Sequence, residues 1–131
     1  MINLETARKL KDAGLEWEPK VNDFACFKDR RGIVRSVRWD EKLSLWVLVV
    51  DFDHHRDSGS YEYFTWLPRL DQLLAEIERQ GWDWIMDKGS MTLYRDKEWG
   101  SQFFGVPDDA AANALLWILE REKVAHDVVH V

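Results

Sequence analysis

A chain of 131 residues, 46% apolar and 32% charged, has the make-up of one globular domain with a core of its own, without metal or disulfide staples. Its net charge of −6, from 24 acidic and 18 basic residues, works against a phosphate-binding footprint and disfavours general nucleic-acid binding. The single cysteine, Cys26, excludes an internal disulfide, and no apolar run reaches the roughly 20 residues that cross a bilayer.

The pattern predicts a first helix over residues 3–14. Asn3 is its N-cap, Glu5 suits the positive end of the dipole, and Leu4, Ala7 and Leu10 share a face. Gly14 supplies the left-handed stop. The opening residues lack the basic region and apolar run of a secretory leader, so the expected location is cytoplasmic, without membrane contact.

Three strands are expected next, over 23–28, 33–39 and 43–53, with turns at Asp29–Gly32 and Asp40–Lys42. The third is apolar on both faces: Leu45, Val47 and Val49 on one, Trp46, Leu48, Val50 and Phe52 on the other. Such a strand demands cover on both sides, from a sandwich-like layer or a second copy of the chain. Residues 54–60 are polar and read as a loop, and 61–66 as a fourth strand.

Pro68 then opens a helix with Leu70, Leu73, Leu74 and Ile77 as its apolar stripe, and Gly81 ends it. Short strands follow over 82–86, 91–96 and 101–105. The last helix begins at Pro107 with Asp108 and Asp109 at its positive end, and buries Ala111, Ala114, Leu115, Ile118 and Leu119. The tail from 125 reads as frayed or as an edge strand.

These elements predict a single α+β domain spanning 1–131: one largely antiparallel sheet of about five or six strands packed with three helices. Two local likenesses point to a weak helix–strand–strand repeat. Gly14-Leu15-Glu16-Trp17 parallels Gly81-Trp82-Asp83-Trp84, and the Phe27–Gly32 turn parallels Tyr94–Gly100. Generic turn chemistry explains them equally well.

The stretch from Trp66 to Lys123 also carries a familiar order of signals. Leu67-Pro68 precedes a helix, an aromatic strand pair follows, and Pro107-Asp108-Asp109-Ala110-Ala111 leads into a helix bearing Ala114, Leu115 and Trp117. In this it resembles small uncharacterised phage and prophage proteins of bacteria, over roughly the C-terminal half. The resemblance implies an α+β fold and a phage-related origin, and carries over no catalytic residue.

For chemistry, the densest constellation is Asp51, Asp53 and His55. Continued period-two alternation would put all three on one face, as a metal or acid–base cluster requires. The simpler reading is a strand running out into a solvated loop. His126 and His130 are four apart, but the tail lacks a helix start signal. Cys26 sits in an apolar alternation and reads as an inert buried thiol.

Lys28, Arg30, Arg31, Arg35 and Arg38 lie among Phe27 and Trp39, a pairing that can hold single-stranded nucleic acid, though Asp29, Asp40 and Glu41 dilute it. No nucleophile elbow, phosphate loop or dinucleotide fingerprint is present, so no cofactor is expected.

Eight tryptophans stand out, and tryptophan serves both cores and interfaces. Trp46 and Trp117 lie in apolar runs and read as core. Trp66, Trp82, Trp84 and Trp99 lie near element ends and form the candidate interaction surface. The leading expectation is a non-enzymatic, phage-type accessory module acting through protein contacts, with a homodimer as one form of contact. The alternative is a small metal-binding protein or metal-dependent enzyme using Asp51, Asp53 and His55.

Overall fold

The computed structural model describes residues 1–96 and 98–129, with the stretch 123–129 as backbone only. Among the described residues the fold is α+β, with three α-helices and eight strands in two antiparallel sheets. Two compact units result: Met1–Leu15 with Arg69–Val131, and Glu16–Pro68.

The first unit holds α1 (Leu4–Asp12), α2 (Leu70–Arg79), α3 (Pro107–Val129) and the sheet β6 (Asp83–Asp87), β7 (Ser90–Arg95) and β8 (Glu98–Phe104), paired in that order. Asn3 caps α1 by accepting a hydrogen bond from the Thr6 N–H at 2.8 Å. The α2 start differs slightly from expectation. Pro68 lies outside the helix, and Gln72 Oε1 closes the first turn by accepting from Arg69 N at 2.9 Å.

Both helices end alike. Gly14 and Gly81 take φ of 99° and 89°, and the next residue donates back five positions, Leu15 to Leu10 and Trp82 to Ile77. The likeness noted in the sequence around these glycines is therefore a shared capping motif.

Helix α3 is the hub of this unit. Ala110, Ala111, Ala112 and Ala114 are buried, and these small side chains let α3 approach α1, α2 and the inner face of β7 and β8. Leu115 and Ile118 of α3, Leu73 and Ile77 of α2, Ile2 and Leu10 at α1, and Met91 and Leu93 of β7 are fully buried. Each such side chain contributes about 1.5–3 kcal/mol. The helix runs on to Val129, so residues 125–129 are helical where an edge strand or frayed tail was expected. It includes His126 in its backbone, while His130 lies outside the described residues.

The second unit is a five-stranded sheet of β1 (Phe24–Phe27), β2 (Arg30–Asp40), β3 (Leu45–Phe52), β4 (His55–Ser60) and β5 (Thr65–Trp66), in the order β4-β3-β2-β1-β5. Two expectations change here. The polar stretch read as a loop is strand β4, which reverses at Asp53–His54 and pairs along β3 from Phe52↔His55 to Val47↔Ser60. An edge strand buries little, so its polar composition hid it. Residues 61–63 form a 3-10 turn, leaving only Thr65 and Trp66 in β5.

The core of this unit gathers Ala25, Val34, Leu48, Val50 and Phe64 on one sheet face. Gly32 is required beside it: a Cβ there would lie 2.6 Å from the Asp51 carbonyl oxygen and 2.7 Å from Val50 Cγ1. The buried Asp23 pins the segment before β1, its Oδ2 accepting from Trp17 Nε1 and from Lys20 N, each at 3.0 Å. On the other face of β3, Val47 and Val49 are only half-buried, and among the described residues 16–68 contain no α-helix to cover them. Cys26 is buried, with Sγ donating to the Lys28 carbonyl at 3.0 Å.

Candidate functional site

The four tryptophans singled out from the sequence do not share one surface. Trp66 belongs to the Glu16–Pro68 unit, where it stacks on Trp17 with centroids 6.1 Å apart and planes within 4°. Its Nε1 is buried and, among the described residues, has no hydrogen-bond partner.

In the first unit Trp82 is core. It is 2% exposed, meets Trp117 edge-on at 5.4 Å, and has the Arg95 guanidinium 4.4 Å above its ring. Gly100 faces it, because a Cβ there would come within 2.8 Å of Trp82 Cζ3. Trp84 is half-buried and donates from Nε1 to Glu78 Oε1 at 3.1 Å. Trp99 alone of the four is well exposed, at 70%.

The surroundings of Trp99 follow from sheet register. Met91 and Leu93 point into the core, so Thr92 and Tyr94 face outward, with their cross-strand partners Ile85 and Asp83 on β6. On β8, Tyr94 opposes Trp99 and Thr92 opposes Gln102, so two residues, Gly100 and Ser101, stand against one. This bulge puts Trp99, Gln102 and Phe104 on the same outer face. The Tyr94 and Trp99 rings lie 5.9 Å apart, and Phe104 and Ile85 are 70% and 48% exposed. Asp83 and Asp87 are exposed along the β6 side. The outer face is thus an aromatic and aliphatic patch with an acidic margin.

Sequence reasoning found Trp99 but missed Ile85, Tyr94 and Phe104. Alternation in β6 and β7 marks the first two. Phe104 needed the bulge, since a regular strand places it opposite to Trp99.

The metal candidates separate as well. Asp51 pairs with Arg56 and Phe52 with His55, so the reversal after Phe52 puts His55 on the face opposite to Asp51, with Asp53 in the turn. Asp51 accepts from Arg35 Nε at 2.5 Å and from Arg56 Nε at 2.6 Å. The hydrogen bond from Arg56, followed by that from Arg35, holds its carboxyl below the ordinary value. His55 Nε2 lies 3.0 Å from Asp57 Oδ2. Among the described residues no three His, Cys, Asp or Glu side chains converge on one point.

The basic stretch is partly spent within the sheet: Arg35 binds Asp51, as Arg56 of β4 also does, and Arg38 lies 3.7 Å from Asp40. No family profile, curated protein or solved structure matches the chain.

Proposed function

We propose that this protein is a non-enzymatic accessory module of the phage type, binding a protein partner through the outer face of β6–β7–β8. The observation that carries the reading is the concentration of exposed Trp99, Phe104 and Ile85, beside the half-buried Tyr94, on that one face. Aromatic side chains with apolar neighbours supply binding energy at low conformational cost, and contiguous apolar surface is what protein contacts cover. The acidic margin of Asp83 and Asp87 selects the partner's chemistry: an apolar patch flanked by lysine or arginine. It also disfavours a second copy docking face to face, where these carboxylates would meet an equally acid-edged surface.

The test is retention of a bacterial-host partner by the wild type, a Trp99→Ser/Phe104→Ser variant and a Trp39→Ser control. Affinity for the retained protein is then measured at two salt concentrations. The double variant is expected to lose at least about 30-fold, the effect of one hot-spot side chain of about 2 kcal/mol. Asp83→Asn with Asp87→Asn is expected to slow association at low salt. Equal binding by the double variant overturns the surface. Concentration-dependent self-association abolished by the same variant assigns it to a second copy instead.

A further inference from the structure

A pocket in the Glu16–Pro68 unit presents chemistry separate from the sheet face of the first unit. It is a half-open pocket of about 290 Å³, lined by Phe27, Asp57, Ser58, Gly59, Tyr63 and Phe64. That volume is close to the lower limit of small-molecule sites, about 300 Å³.

Half of the lining is aromatic. Phe27 and Phe64 have centroids 6.0 Å apart and planes tilted by 56°, so the two rings meet at an angle and do not stack. Tyr63 is 70% exposed and stands at the mouth. Gly59 leaves space beside Tyr63, because a Cβ there would only just touch Tyr63 Cδ2, at 3.5 Å.

Asp57 brings the one formal charge among the lining residues. It sits on the core face of the sheet, opposite Val50. Its Oδ2 is 3.0 Å from His55 Nε2, and the His55 ring lies against Phe52 with centroids 6.3 Å apart. The carboxylate thus has a neighbour on the sheet, and both side chains stay partly open to solvent.

A carboxylate set beside aromatic faces selects for cations. The ring quadrupoles attract positive charge, the carboxylate answers it, and the apolar walls accept attached methyl or methylene groups. An anion would meet Asp57 at close range, and a neutral occupant would strip water from the carboxylate without replacing its charge partner. Lys28 Nζ, on the next residue of the chain, lies 5.6 Å from the Phe27 ring centroid. Lys28 itself is not part of the pocket lining.

We propose that this pocket binds an alkylammonium group, carried by a small free molecule or by a lysine side chain of a peptide. The experiment titrates the isotope-labelled full chain with choline, with N-acetyl-lysine methylamide, and with 3,3-dimethylbutan-1-ol, the uncharged isostere of choline. Amide shifts are read at Gly59 and Tyr63.

Saturable shifts are expected with an ammonium probe, and binding of the alcohol is expected to be weaker by about tenfold or more. Asp57→Asn removes the charge. Gly59→Val narrows the pocket at a position whose φ lies outside the left-handed region, so the backbone accepts it. Each is expected to weaken binding by about tenfold or more while the spectrum stays dispersed. The tighter of the two ammonium probes names the source, and either supports the site. Equal binding of the alcohol, an Asp57→Asn variant that binds like wild type, or no shift with either ammonium probe would overturn it.

Discussion

Asp51 illustrates how one carboxylate is committed by its neighbours. Three guanidinium N–H groups reach it, from Arg35 Nε, Arg56 Nε and Arg56 Nη2, the last at 3.3 Å. Charge-assisted bonds of this kind fix the side chain and stabilise its ionised form. Its folded pKa lies below the ordinary value of 3.8, so it contributes stability above that pH and loses it as pH falls through the folded value. Asp51→Asn should therefore lower the urea midpoint at neutral pH, and the gap from wild type should close as pH falls below about 4. A gap unchanged at low pH would show that the ion pairs do not act this way. The pairs are solvent-exposed, so the effect is small.

At the scale of elements, the β2–β3 pairing depends on the missing side chain at Gly32. Gly32→Ala would drive a methyl group into the backbone of Asp51 and the side chain of Val50. A cost of about 1–3 kcal/mol is expected, read as a lower urea midpoint at unchanged slope. An unchanged midpoint would mean the strands separate freely there. The elements also differ in how far they were legible. Helices α1 and α2 were readable because Asn3, Gly14 and Gly81 act within a turn of where they stand. Strand β4 was not, since nothing in His55–Ser60 favours a strand until β3 offers its edge. In β8 the strand at 101–105 was readable, but its start at Glu98 and its Gly100–Ser101 bulge were not, since the bulge exists only in relation to β7.

For the molecule as a whole, the unit built on α3 draws on both ends of the chain. Residues 1–15 deliver Ile2, Ala7 and Leu10, all buried, and α1 packs against α3. Removing residues 1–15 should cost about 3–6 kcal/mol from Ile2 and Leu10 alone. That is a large share of a typical domain's stability. Thermal melting checks it: a midpoint within about 2 °C of the full chain would mean α1 is dispensable.

The amino-acid sequence by itself determined the α+β class, the positions of the three helices, the buried thiol of Cys26 and the apolar weight of β3. Each of these rests on composition or on interactions between residues close along the chain. Only the tertiary structure decided that the strands divide between two sheets and that Trp82 is core while Trp99 faces outward. It likewise decided that Asp51 and His55 part to opposite faces and that Asp57 meets Phe27 and Phe64 at a pocket. The physical reason is common to all of these. Which face a strand residue takes depends on where the chain reverses and what it pairs with, and one bulge or one two-residue turn inverts the alternation that a sequence displays.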